Sequence, residues 1–285
     1  MERYLERVAN DFFEPINSYK VIQAGWTNLV IEINDKWIFR FVRDSNNTQL
    51  AVEQDFLPRF ERVSPLNVPC IVLSDNDYIA YPKIAGTRFS PQKFSLFSSI
   101  QRIKLIKLLG EFLTCLHNFQ FTHQYLSEAP YGGDDFWNDL WFPVKDKLCQ
   151  QTRNNAEKYF IKALEQIQAI PFTKTLTHSD LGTNNILVNF EQCQLEGIID
   201  FGDLCLSDPA ADFAGFYRNF GHQFVEDLLH YYQRSIEANF WTRIKFESKR
   251  KMFFVAYFAL NYGYESHVSN ILQNIEKLFQ DDAYE

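Results

Sequence analysis

Short alternating apolar runs fill the first part of this chain, and helical periods fill the rest. Runs of β-branched and aromatic residues predict strands at Tyr19 to Gln23, Leu29 to Ile33 and Trp37 to Val42, the last two joined through Asn34 and Asp35. Along the third run Ile38, Arg40 and Val42 share one face, and Trp37, Phe39 and Phe41 share the other. Two more strands are expected at Cys70 to Leu73 and Asp77 to Tyr81, turning at Asn76. An amphipathic helix over Met1 to Phe13 precedes these strands, and a helix over Thr48 to Phe60 interrupts them.

From Ser99 to Asn118 the stripe Ile103, Ile106, Leu109, Leu113 and Leu116 predicts a core helix with its Lys and Arg residues on other faces. Helices are also expected from about Asp134, with Asp134 or Asp135 as N-cap, and over Asn155 to Ala169, stopped by Pro171. Asp208 before Pro209 marks another helix start, and the C-terminal part carries apolar stripes through Phe224, Leu228 and Tyr231 and through Phe254, Tyr257 and Phe258. Strands first and helices after give an α+β chain with one natural boundary, near Gly86.

Composition narrows the class. A chain of 285 residues, 46% hydrophobic and with 28 Phe, can bury one large core or two packed lobes. A net charge of −8 argues against a nucleic-acid partner. Residues 1 to 119 sum to +1 and residues 120 to 285 to −9, an asymmetry that suits a cationic ligand or plain solubility. The longest apolar run, Phe253 to Leu260, is too short for a bilayer, so no membrane role is expected. Five scattered cysteines without C-x-x-C, and a start that mixes charges of both signs, suggest reduced thiols in a cytoplasmic protein.

The chemistry gathers between Leu176 and Phe213. His178, Asp180 and Asn185 form H-x-D-x-x-x-x-N, and fifteen residues after the Asn comes D-F-G at Asp200, Phe201 and Gly202. Short strands at Ile186 to Val188 and Gly197 to Ile199, around a polar turn at Glu191 to Gln194, would bring Asp180, Asn185 and Asp200 together. Phosphoryl transfer needs an acceptor hydroxyl held in line and a neutralised phosphate. Asp180 is therefore the candidate base, and Asn185 and Asp200 are the candidate Mg²⁺ ligands, since hard oxygen donors suit that ion. His178 is expected to be structural, holding the loop.

The segments HSDLGTNNIL, IIDFGD and SDPAADF resemble the aminoglycoside phosphotransferase family, most closely its 2''-aminoglycoside phosphotransferases, from about Gly25 to the C-terminal helices. The resemblance implies a bilobal protein-kinase-like fold. An antiparallel-sheet lobe over residues 1–85 would hold ATP or GTP, and a mainly helical lobe over 86–285 would carry catalysis and the acceptor. In the family a third-strand Lys meets the phosphates and pairs with a helix Glu; here Arg40 stands at that position with Glu53 as partner, a departure because the two cations differ in geometry. The nucleotide-covering turn keeps only Gly25, so Thr27 and Asn28 would supply polar contacts there. Tyr81 and Ile84 fall in the hinge; Pro82 has no N–H, which leaves Ile84 as the expected donor to the purine. Acidic residues of the substrate lobe would bind the amino groups of the drug, the candidates being Asp203, Asp139, Glu237 and Glu265. Asp208 and Asp212 would support the catalytic loop. The implied reaction is Mg²⁺-dependent transfer of the γ-phosphoryl to a hydroxyl of an aminoglycoside-like, cationic acceptor. The alternatives are a kinase for another small alcohol, such as a macrolide, choline, homoserine or a sugar, and a nucleotide-binding pseudokinase.

Overall fold

The computed structural model describes residues 1–22, 28–43, 48–129, 135–261 and 265–280, with side chains in the last stretch from residue 267. Helix α1 (Glu2–Asp11) is followed by strands β1 (Tyr19–Ile22), β2 (Asn28–Ile33) and β3 (Trp37–Val42), helix α2 (Gln49–Phe60), and strands β4 (Leu73–Ser74) and β5 (Tyr78–Pro82). These strands form one antiparallel sheet in the order β1-β2-β3-β5-β4. Asn34 and Asp35 turn β2 into β3 with φ of 53° and 55°, a left-handed conformation that short polar side chains tolerate. Of the strand expected over Cys70 to Leu73, only Leu73 joins the sheet.

The two faces of β3 serve different helices. Phe39 and Phe41 pack with Val8 of α1 and with Phe12 just beyond its end, while Ile38 and Val42 join the core of Leu50, Val52 and Phe56 of α2. Arg40 projects from the second face and is therefore buried against α2.

A helical body follows. Strand β6 (Thr87–Arg88) and helices α3 (Pro91–Phe94) and α4 (Ser99–Asn118) lead to a π-helical turn (Trp137–Trp141), α5 (Phe142–Lys145) and α6 (Gln150–Ala169). Then come β7 (Thr175–Thr177), β8 (Ile186–Asn189), β9 (Gln194–Ile198), β10 (Cys205–Ser207), α7 (Ala210–Phe220), α8 (His222–Tyr231), α9 (Phe240–Asn261) and α10 (Glu265–Leu278). Helix α4 starts and stops where its period predicts, because Ser98 and Gln101 cap its first turn reciprocally. One member of its expected stripe departs: Ile103 is 50% exposed, and Leu105 and Phe112 are buried instead. The helix predicted from Asn155 starts earlier, at Gln150, and the helix expected from about Asp134 is π-helical over Trp137–Trp141 before α5. Asp134 itself lies outside the described residues.

The sheet is fastened to this body beyond the chain crossing near Gly86. The Asn67 carbonyl accepts from Ile198 N–H (2.9 Å), and its side chain donates to the Glu196 carbonyl (2.6 Å). Gly197 permits the approach, since a Cβ there would lie 2.5 Å from that carbonyl oxygen.

Candidate active site

Strand β7 ends at Thr177, and the chain then turns sharply through His178, Ser179 and Asp180. Ser179 has φ of 65°, and the turn is held from below by the fully buried Asp212 of α7. Asp212 Oδ2 accepts from His178 N–H (2.9 Å), and Oδ1 accepts from Ser179 N–H (2.8 Å). His117, at the end of α4, donates from Nε2 to Asp212 Oδ2 (3.1 Å) and meets the Tyr232 hydroxyl at Nδ1 (2.7 Å). The expected support role of Asp212 thus has a geometric basis. His117 reads in the sequence as a helix-end residue beside the negative pole, but is a buried part of this support.

Helix α7 presses on the loop more closely than any side chain would allow. A Cβ at Gly215 would stand 2.0 Å from the Leu181 carbonyl oxygen. Asp208 accepts from Ala210 N–H (2.9 Å) at the helix start and pairs with Arg243 Nε (2.8 Å). His178 spans the gap to the second motif, donating from Nε2 to the Ile199 carbonyl (3.0 Å) and packing on Phe201 with ring centroids 4.7 Å apart. Phe201 is fully buried against Phe56 and Phe60 of α2, so the D-F-G segment is pinned between sheet helix and loop.

These supports bring the candidate chemical groups together. Asn185 Nδ2 donates to the Asp180 carbonyl (2.8 Å) and to its Oδ2 (3.0 Å). The Ile199 N–H bonds to the Asn185 carbonyl (2.9 Å), which sets Asp200 next in line. Asp200, with φ of 66°, turns its carboxylate to Arg40 Nη1 at 3.9 Å. Arg40 pairs with Glu53 of α2, and both are buried. A Cβ at Gly202 would meet Glu53, Arg40 and Asp200 within 3.3 to 3.5 Å, so all three close around that glycine. Burial works against the Arg40 charge, but Glu53 and Asp200 outweigh it and hold the guanidinium above its ordinary value.

Two side-chain oxygens could hold a hard cation. The Asn185 amide nitrogen is committed to Asp180, which leaves its oxygen, and the Asp200 carboxylate is 45% exposed. Among the described residues no three His, Cys, Asp or Glu side chains gather as a metal site. That sparse set fits Mg²⁺, which is bound through one or two protein oxygens completed by substrate phosphates and water.

A residue that no motif signals sits on the candidate base. Lys251 Nζ of α9 lies 2.9 Å from Asp180 Oδ1. Burial alone would raise the Asp180 carboxyl, but Lys251, with help from His178 and Asn185, holds it below its ordinary value. The small cavity against Asp180 carries the further charges Arg218, Glu247 and Arg250, with Arg250 Nε bonded to Glu247 Oε2 (2.6 Å).

The remaining candidates divide. Asp203 is exposed in the same neighbourhood, within reach of the charges of Asp180, Asp200 and Lys251. Glu237 is occupied by Arg243 Nη2 (2.7 Å), and Asp139 is exposed on the π-helical turn; neither lines the cavity at Asp180. The Glu265 side chain and Thr27 lie outside the described residues. Asn28 opens β2, and among the described residues its buried Oδ1 has no hydrogen-bond partner. In the segment after β5, Lys83 N–H is taken by the Lys36 carbonyl (2.7 Å), while among the described residues Ile84 N–H has no backbone acceptor. Tyr81 is buried beside Arg40, and burial raises its phenol.

A five-stranded antiparallel sheet over a helical body, with both loops in the gap between them, is a protein-kinase-like fold. The family model of phosphotransferase enzymes, APH, matches residues 18–246, and the chain belongs to that family. Solved structures agree in fold. APH(2'')-IIia in complex with GDP and kanamycin superposes with a TM-score of 0.83 at 21% identity, covering 97% of this chain and 98% of that one. The ADP-bound aminoglycoside phosphotransferase APH(2'')-Ib gives 0.71 at 22% identity, covering 96% and 98%. Macrolide 2'-phosphotransferase MphH from Brachybacterium faecium gives 0.73 at 17% identity, covering 100% and 99%.

Proposed function

We propose that this phosphotransferase is a Mg²⁺-dependent kinase that moves the γ-phosphoryl of ATP or GTP onto a hydroxyl of a small molecule. The observation that carries the reading is the closure of Arg40, Glu53 and Asp200 around Gly202, next to the bonded pair Asp180 and Asn185. Residues 1–85 would hold the nucleotide, with Ile84 N–H toward the purine and Thr27 and Asn28 toward the phosphates. Residues 86–285 would hold the acceptor. Arg40, steadied by Glu53, would contact the phosphates, and Asn185 with Asp200 would hold Mg²⁺, which supplies charge neutralisation at the phosphoryl oxygens. Asp180 would orient the acceptor hydroxyl and take its proton as the new O–P bond forms and the bond from the γ-phosphorus to the bridging oxygen breaks.

Two acceptor readings follow. Aminoglycoside-like acceptors are supported by the fold's likeness to proteins solved with kanamycin and with gentamicin. Another small alcohol is supported by the fold's likeness to macrolide 2'-phosphotransferase MphH. Release of ADP or GDP with Mg²⁺ across aminoglycosides, a macrolide, choline, homoserine and sugars decides between them. Replacing Asp180 by Ala should lower turnover by about 10² to 10⁴-fold and leave nucleotide affinity unchanged. Unimpaired turnover in that variant would overturn the assignment, and nucleotide binding without turnover of any acceptor would favour a pseudokinase.

A further inference from the structure

One face of α2 carries Gln49, Glu53, Phe56 and Phe60, spaced four, three and four residues apart, which is the spacing of a single helical stripe. This stripe lies along the D-F-G segment. Phe56 and Phe60 pack on Phe201, with ring centroids 5.6 and 6.3 Å away, and Glu53 Oε1 would stand 3.3 Å from a Cβ at Gly202. Gln49, the first residue of the helix, extends the contact: its Nε2 donates to the Leu204 carbonyl (3.0 Å) and to the Gly202 carbonyl (3.3 Å). A side-chain amide has two N–H groups, and both are committed to this pair of acceptors. The two carbonyls flank Asp203, in a turn that Leu204 N–H closes on the Phe201 carbonyl (3.1 Å). Asp200 leads into this turn with φ of 66°. Among the described residues its carboxylate accepts no hydrogen bond, and the cation it faces, Arg40 Nη1, is 3.9 Å away. The place of that carboxylate is therefore fixed through its backbone, by whatever holds the residues that follow.

From this we infer that Gln49 is a positioning residue: it clamps the peptides around Asp203 to α2, and so keeps Asp200 where a metal ligand must stand. The inference rests on the kinase reading and adds a residue to its machinery. Gln49 touches neither phosphate nor metal. It acts through Gly202 and Leu204, and it makes the metal ligand follow the helix that also holds Arg40 through Glu53. Its acceptors lie 153 and 155 residues along the chain, so no motif carries it. Two isosteric replacements separate its donor groups from its bulk. Met fills the same space without an N–H, and Glu sets a carboxylate against two carbonyl oxygens.

The test has two readouts on the full chain. Calorimetry measures the binding of non-hydrolysable ATP and GTP analogues with Mg²⁺ and with EDTA, and amide hydrogen exchange follows Leu204 against Leu109 and Leu113 in α4. Gln49→Met should reduce the tightening that Mg²⁺ brings by about tenfold, the worth of two hydrogen bonds, and leave the affinity in EDTA unchanged. Gln49→Glu should reduce it further. In both variants Leu204 should exchange faster while Leu109 and Leu113 keep their protection. Affinities that fall equally with and without Mg²⁺ would overturn the inference, because Gln49 would then serve the sheet and not the metal ligand. Exchange that quickens at all three amides together would make the role merely structural and overturn it too, as would variants that match the parent in both readouts. The kinase reading fails separately: if the parent chain binds neither analogue more tightly with Mg²⁺, that reading falls, and exchange at Leu204 alone decides whether the clamp exists.

Discussion

Lys251 sets the electrostatics of Asp180, and its removal has a definite sign. Because Lys251 holds the Asp180 carboxyl below its ordinary value, Lys251→Met should let that value rise. The acid limb of the kcat/KM profile then moves to higher pH, since the carboxylate protonates earlier as pH falls. A profile with an unmoved acid limb would mean that Asp180 is not the titrating group. The buried pair gives a second residue-scale expectation. Arg40→Met leaves Glu53 uncompensated and should cost roughly 3 to 5 kcal/mol in urea unfolding, whereas Arg40→Met with Glu53→Leu should cost much less. At this scale the sequence was informative where the chemistry is local. Asp180, Asn185 and Asp200 fall within 21 residues, and two short strands are enough to gather them. Lys251 and His117 carry no motif, because their partners Asp180 and Asp212 are brought to them only by packing of α9 and α4.

At the scale of elements, α7 positions the turn that carries Asp180 through one missing methyl group. Gly215→Ala would place a Cβ on the Leu181 carbonyl, so the loop or the helix must shift. A loss of roughly 1 to 3 kcal/mol is expected from thermal or denaturant unfolding, with a larger relative loss in turnover than in nucleotide affinity. Gly182→Ala is the control: its added Cβ meets nothing within 4 Å and its φ is unrestricted, so stability should change little. The helical period located α4 and the strand alternation located β3, because each repeats along several turns or pleats. Strands β6 and β10, two and three residues long, could not be read that way. Their pairing with β8 and β7 is a long-range event, and nothing in so short a run distinguishes it from loop. Ile103 failed for a different reason: the stripe fixes which residues are apolar, but the covered arc of α4 is rotated away from Ile103 toward Leu105 and Phe112.

At the scale of the molecule, the acidic balance of the second half invites a cationic ligand, yet the charge is not spread evenly. Carboxylates such as Glu237 are spent on Arg243, Arg250 is matched to Glu247, and Lys251 to Asp180. A charge sum over a whole region therefore does not fix the sign of the surface nearest Asp180, because pairing inside the region is invisible to it. The anchoring of Asn67 on β9 also has a mechanical result. The sheet is joined to its base at the crossing near Gly86 and at Asn67, and on its other side through α2, whose Gln49 donates to the Gly202 and Leu204 carbonyls and whose Phe56 and Phe60 pack on Phe201. A panel fastened on two sides cannot swing freely. Any tilt of the sheet as nucleotide enters or leaves should therefore drag Phe201 and Gly202 along with α2.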